Sequence, residues 1–64
     1  DINWIMADDG TLVFKKRNTL IIINNSPNDK TIPLENNYTD LESGVKYSQE
    51  ILVHAYGYLL LKEC

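Results

Sequence analysis

Cysteine and histidine are almost absent from this sequence. Its 64 residues contain one cysteine, Cys64, and one histidine, His54. A single thiol cannot form an internal disulfide, and structural zinc sites normally need four ligands of these two types. Small chains that lack such cross-links commonly gain stability from a partner surface. The sequence therefore predicts no metal and no cofactor, and it favours a domain that rests against another body.

Positive charge and long apolar runs are also scarce. Six Lys and Arg stand against nine Asp and Glu, which gives a net charge of −3. Nucleic-acid binding requires a basic surface, and the one basic run, Lys15-Lys16-Arg17, is too short to provide it. No segment approaches the roughly 20 apolar residues of a membrane-spanning helix. We therefore expect neither nucleic acid nor a membrane as a partner.

Turn residues, in contrast, interrupt the sequence every few positions. Asp9-Gly10 is the strongest signal because both residues tolerate the positive φ of a tight hairpin, and Asn18 marks a second reversal. The runs between the turns are short and rich in β-branched and aromatic residues. The predicted strands are 3–6, 11–17, 19–25, 30–34, 38–41, 45–48, 51–54 and 58–62. This pattern predicts one all-β domain over residues 1–64, a small antiparallel β-sandwich of about seven to eight short strands.

Two of these strands, 19–25 and 58–62, differ from the others because their central residues are apolar on both sides, whereas 11–17 shows the ordinary pattern. In 11–17, Leu12 and Phe14 share one side and the other side is mostly polar, with Val13 as its lone apolar residue, which is roughly the pattern of a half-buried strand with one wet face. Segments 20–23 and 59–61 are instead apolar on both sides. A two-layer sandwich covers only the inner face of each sheet, and an uncovered apolar patch usually marks an interface.

We therefore expect this surface to dock against another body. The candidate docking residues are Trp4, Ile21, Ile23 and Leu60. A competing interpretation is that a side turn, or the N-terminal strand with Trp4, folds over the same residues. Pro33 lacks a ladder donor, so the strand at 30–34 is expected at a sheet edge or to end there.

Three tyrosines are candidates for contact with a sugar, because a flat ring can stack on a sugar face. They are Tyr38, Tyr56 and Tyr58. Tyr56 and Tyr58 flank Gly57 and point to the same side if that segment is extended. Tyrosines are more often structural, which is the alternative for all three.

The sequence gives little reason to expect catalysis. Most of the nine carboxylates lie in predicted turns or near the chain ends, where they are usually solvated or capping groups. His54 has neither a nucleophile nor an orienting acid in any recognisable motif. We therefore predict no catalytic residue.

Four segments, in this order, form a recognisable pattern: LVFKKR at 12–17, LIIINNS at 20–26, YTDLESG at 38–44 and ILVHAYGYLLL at 51–61. The ordered set resembles the C-terminal β-sandwich domain of alpha-amylase superfamily glycoside hydrolases, especially the neopullulanase, maltogenic amylase and oligo-glucosidase group. His54 departs from the pattern, because the family often has proline there. In such enzymes the catalytic acid and nucleophile lie in a preceding (β/α)8 barrel, so no catalytic residue carries over.

The resemblance implies an accessory domain from the C-terminus of an alpha-glucan-degrading enzyme, inactive alone and packed on the catalytic barrel of the same parent chain. The start at Asp1 rather than Met fits a module from a longer protein. An autonomous alpha-glucan-binding module is the alternative function, and the isolated domain could also dimerise. A small independent enzyme would need converging carboxylates, which the sequence does not suggest.

Overall fold

The computed structural model describes residues 2–8 and 10–64, and in that part of the chain it contains eight strands and no helix. The strands are β1 (Ile2–Asp8), β2 (Thr11–Lys16), β3 (Thr19–Asn24), β4 (Lys30–Pro33), β5 (Tyr38–Asp40), β6 (Lys46–Tyr47), β7 (Glu50–Val53) and β8 (Tyr58–Glu63). Each predicted strand corresponds to one of them, so the all-β fold is confirmed. The described residues accordingly include no helix that could cross a membrane.

The strands form two antiparallel sheets of unequal size. The large sheet has the order β1-β2-β3-β8-β5-β6, and the small sheet pairs β4 with β7. Pro33 is the last residue of β4, in agreement with the prediction for that strand. The small sheet packs on one face of the large sheet, and side chains from both form the core. The core residues are Val13, Leu20, Ile22, Ile32, Tyr38, Ile51, Val53 and Leu61.

Register divides the large sheet into two faces, because residues directly opposite each other in an antiparallel pair point the same way. We call the face that meets β4 and β7 the inner face and the opposite one the outer face. In β3, Leu20 and Ile22 are buried on the inner face, whereas Ile21 and Ile23 are half-buried on the outer face. Although β3 is apolar on both sides, only the side chains of its inner face belong to the core.

The pattern of polar and apolar residues in β2 predicts the wrong buried side for this strand. Thr11 and Val13 are 3% and 1% exposed on the inner face, whereas Leu12 is 36% exposed on the outer face. Val13 lies opposite Ile22 in β3, and Leu12 lies opposite Ile23. The predicted wet side of this strand is thus its buried side. Alternation shows that two sides differ, but the position of the covering sheet decides which side is inside.

The predicted reversals are present, with one change of detail. Gly10 has a φ of +78°, and a Cβ at that position would lie 2.8 Å from the Asn25 carbonyl oxygen, so the β1–β2 turn requires glycine there. Asp9, the other half of that predicted turn, lies outside the described residues. Between β2 and β3 the left-handed residue is Arg17, with a φ of +57°, and not Asn18.

Replacing Thr11 by valine should leave the free energy of unfolding unchanged or raise it by up to about 1 kcal/mol. The Thr11 hydroxyl is buried and has no hydrogen-bond partner among the described residues, so the native chain already bears its desolvation cost. Urea unfolding followed by circular dichroism measures the change. Thr31→Val on the exposed side of β4 is the matched control, with no expected change. A loss of more than 1 kcal/mol for Thr11→Val alone would show that the hydroxyl is satisfied after all.

Candidate docking face

Two rows of apolar side chains cross the outer face from β1 to β8. The first row, in strand order, is Trp4, Phe14, Ile21 and Leu60. The second row is Ala7, Leu12, Ile23 and Tyr58. We call these eight residues the apolar rows. All four predicted docking residues lie in them, so the fold brings these residues onto one surface.

Four side chains of the apolar rows are exposed and the other four are half-buried. Trp4 and Tyr58 are each 57% exposed, whereas Ile21 and Leu60 shield one another across β3 and β8. The Trp4 and Phe14 ring centroids are 4.9 Å apart, with an interplanar angle of 46°. Because β1 joins the sheet beside β2, Trp4 extends this face instead of folding over it. The competing interpretation of an internal cover by Trp4 is therefore wrong.

Sequence reasoning missed Leu12 and Phe14 as members of this surface. Their alternation with Val13 is a detectable signal, but by itself it predicts that Leu12 and Phe14 form the buried side of the strand. Segments 20–23 and 59–61, which are apolar on both sides, predict the residues of this surface better. Burial of one such side chain is worth about 1.5–3 kcal/mol, so a contiguous set of them favours association with another surface.

The inner face carries a different cluster beside the core. Lys15 forms an ion pair and hydrogen bond with Glu63, and its ammonium nitrogen lies 5.9 Å from the centroid of the Tyr38 ring. The hydrogen bond that Lys15 donates to the Glu63 carboxylate raises the pKa of Lys15 above its ordinary value, against a smaller opposing effect of desolvation. Next to this cluster is a cleft of about 320 Å³ between β1, β2 and the segment after Pro33. Lys15 and Tyr38 therefore line one side of a partly apolar cleft.

The three tyrosines predicted as sugar contacts do not form one site. Tyr38 is only 3% exposed and belongs to the core, so it offers no free ring face and that prediction is wrong. Tyr56 is 69% exposed but lies in the β7–β8 turn with a φ of +56°, so the segment is not extended as assumed. Tyr58 lies at the end of the second apolar row. Of these three tyrosines, only Tyr56 and Tyr58 present exposed rings.

The remaining reactive groups lie in simple surface contacts. His54 Nδ1 is 3.6 Å from Asp29 Oδ2, and both side chains are largely exposed. The other oxygen of Asp29 accepts a hydrogen bond from the Ala55 N–H at 2.9 Å. The Cys64 sulfur lies 3.2 Å from the Thr39 hydroxyl on the surface. Within residues 2–8 and 10–64, no group of three or more His, Cys, Asp or Glu is arranged to hold a metal ion.

Comparison with known proteins identifies the fold. No protein-family model and no curated protein matches the sequence. The fold is similar to part of the crystal structure of beta-galactosidase from Bacillus circulans sp. alkalophilus, with a TM-score of 0.72 and 24% sequence identity. The match covers 89% of this chain but only 9% of that chain. This β-sandwich therefore also occurs as a small part of a much larger protein, and that protein is not an amylase.

Proposed function

We propose that this chain is a non-catalytic accessory domain of a glycoside hydrolase and that it packs on the catalytic barrel of the same parent chain through its outer face. The observation that carries this proposal is the pair of apolar rows, which no other part of the described chain covers. The similar fold forms 9% of a beta-galactosidase chain, which supports a small domain attached to a large enzyme. The role of the domain is to stabilise the barrel while its own outer face is buried.

The two lines of support favour different sugars. The ordered segments of the sequence resemble a domain of alpha-glucan-degrading enzymes, whereas the similar structure belongs to a beta-galactosidase. Both act on glycosidic bonds, so the hydrolase class of the parent is common to them. We propose the alpha-glucan-degrading parent on the sequence resemblance, with the beta-galactoside as the competing substrate.

We expect the full-length product of the gene to hydrolyse maltoheptaose and the 64-residue chain alone to hydrolyse nothing. Reducing-end assays on maltoheptaose and on 4-nitrophenyl beta-galactoside, run on both proteins, test this. If the full-length product hydrolysed the galactoside instead, the proposal of a glycoside hydrolase parent would stand, but its proposed substrate would change to a beta-galactoside. Activity in the isolated chain, or none in the full-length product, would contradict the proposal.

In the full-length protein, Trp4→Ala should weaken the contact between this domain and the barrel by about 2 kcal/mol, as truncation of an aromatic interface anchor often does. The matched control is Leu52→Ala, which removes a similarly exposed apolar side chain (51%, against 57% for Trp4) from the small sheet. Differential scanning calorimetry should show the two domains unfolding separately in the Trp4 variant only. Equal behaviour of the two variants would show that the outer face is not the docking face.

A second candidate function rests on the exposure of Tyr56 and Tyr58. In an autonomous alpha-glucan-binding module these rings would stack on sugar faces. Titration of the isolated chain with maltoheptaose, followed by tyrosine chemical shifts, separates the two functions. Saturable shifts at Tyr56 and Tyr58 would favour the binding module, and unchanged shifts would favour docking alone.

A further inference from the structure

We propose that the surface covered by the outer face carries a row of carboxylates opposite Lys16, Lys62 and Lys46. This inference rests on the proposed function and adds the chemistry of the partner surface. The three lysines belong to β2, β8 and β6, and together we call them the lysine row. The partner is thus a protein surface with an apolar centre and an acidic margin.

Register places the three lysines in one line across the sheet. Lys16 lies opposite Thr19, which lies opposite Lys62. Lys62 in turn lies opposite Thr39, and Thr39 lies opposite Lys46. Lysines therefore alternate with threonines from strand to strand. Since neighbouring strands are about 4.8 Å apart, successive lysines are spaced by about 10 Å.

The charge of this face is opposite to that of the whole chain. The sequence has nine acidic residues and six basic ones, yet the outward strand positions that the structure describes carry three lysines and no Asp or Glu. All three lysines are exposed, and none takes part in an ion pair or side-chain hydrogen bond among the described residues. Lys15, one position from Lys16 but on the inner face, is paired with Glu63. The three cations on the outer face are therefore available to an external anion.

The lysine row is continuous with the first apolar row. Lys16 is two residues from Phe14 in β2, and Lys62 is two residues from Leu60 in β8, a distance of about 7 Å along each strand. A surface that covers Phe14 and Leu60 therefore reaches the lysine row as well. Ammonium groups that lose water without a partner cost several kcal/mol. Carboxylates opposite the lysines remove this cost and also fix the orientation of the two surfaces.

A second copy of this chain does not supply those carboxylates. A two-fold dimer uses the same patch on both subunits, and this patch has no acidic strand position among the described residues. At about 3.4 Å by 4.8 Å for each strand residue, the six strands of the large sheet, of which β5 and β6 are short, give a face of roughly 500 Å², or about 1,000 Å² for two partners. That area lies within the range for interfaces between domains of one chain and below that of obligate dimers. Area and charge both favour another domain as the partner.

The test compares two triple variants of the full-length gene product that change the net charge equally. Lys16→Gln, Lys46→Gln and Lys62→Gln neutralise the lysine row. The control adds the same negative charge at exposed positions elsewhere, and its substitutions are Thr31→Glu, Asn36→Glu and Ser48→Glu. Unfolding of each variant as the isolated chain confirms that neither set disrupts the fold. Oxidative footprinting of Trp4 and Tyr58 then measures how often the outer face is uncovered.

In the wild type we expect slower labelling of Trp4 and Tyr58 in the full-length protein than in the isolated chain. The lysine variant should raise the full-length labelling rate at least fivefold, 1 M NaCl should act on the wild type in the same direction, and the control should change nothing. Slow labelling that is insensitive to both the lysine variant and salt would overturn the carboxylate row and leave docking intact. Equal labelling of the full-length protein and the isolated chain would overturn the proposed function itself. A different partner would be indicated if the isolated chain bound polygalacturonate or anionic lipid vesicles through the lysine row while the lysine variant left the labelling rate of the full-length protein unchanged. That anion would then replace the protein surface as the proposed partner.

Discussion

Ile22→Ala should remove roughly half of the unfolding free energy of the isolated chain, whereas Ile21→Ala should cost only about 1–2 kcal/mol. Ile22 is completely buried between the sheets, and truncation of such a residue usually costs about 2–5 kcal/mol because a cavity remains. A chain of this length has a total stability of roughly 3–10 kcal/mol. The neighbouring Ile21 is half-buried on the outer face, where water can fill the space that its side chain leaves.

Urea unfolding of the two variants, followed by far-ultraviolet circular dichroism, measures this difference. The pair is its own control, since the residue type, strand and substitution are identical. A similar loss for both variants would mean that the two faces of β3 are equally covered, and the docking argument would fail with it. In the full-length protein the two variants should lose more similar amounts of unfolding free energy, because docking would bury Ile21 as well.

Asn24→Asp should destabilise the chain by about 3 kcal/mol or more at neutral pH, whereas Asn25→Asp should have little effect. The Asn24 amide nitrogen donates to the carbonyl oxygens of Asn28, Val53 and His54 at 2.8, 3.2 and 3.1 Å. It thereby connects the end of β3 to the following turn and to the end of β7. A carboxylate at this buried position would have no hydrogen to donate and would face three carbonyl oxygens.

The pH dependence of this variant follows from the same contacts. Three carbonyls disfavour the charged form, so the pKa of the introduced carboxyl should be higher in the folded chain than in the unfolded chain, about 3.9. The penalty relative to wild type should therefore be smallest below about pH 4 and grow as the pH rises through the folded pKa. Unfolding of the wild type, Asn24→Asp and Asn25→Asp at pH 4 and pH 7 checks the sign. A penalty that is constant with pH would show that the introduced group is solvated.

Local sequence signals were enough to predict the strands and part of the apolar rows. Turn dipeptides such as Asp9-Gly10 and short β-branched runs act within a few residues, so they identify strands without any knowledge of the fold. The candidates Ile21, Ile23 and Leu60 came from segments that are apolar on both sides. Two apolar sides cannot both be buried in a thin sandwich, and this argument needs only the length of the chain.

Other features depend on contacts between distant residues and had no local signal. Tyr38 was predicted to face a sugar, but pairing of β5 with β8 turns it into the core. Asn24 looks like an ordinary turn residue in the sequence, and two of the three acceptors of its amide nitrogen come from the end of β7, about 30 residues later. The ion pair between Lys15 and Glu63 joins residues 48 positions apart. Such pairings follow from the order of strands in the sheet, which periodicity does not encode.

The sequence by itself determined that this chain forms short strands and has more apolar strand surface than one thin sandwich can cover. Both properties are local, because they depend on turn chemistry and on alternation within a strand. Only the tertiary structure decided which side of each strand is inside, since that depends on where the β4–β7 sheet packs. The same packing aligned Lys16, Lys62 and Lys46, because residues far apart in the chain become neighbours only through register.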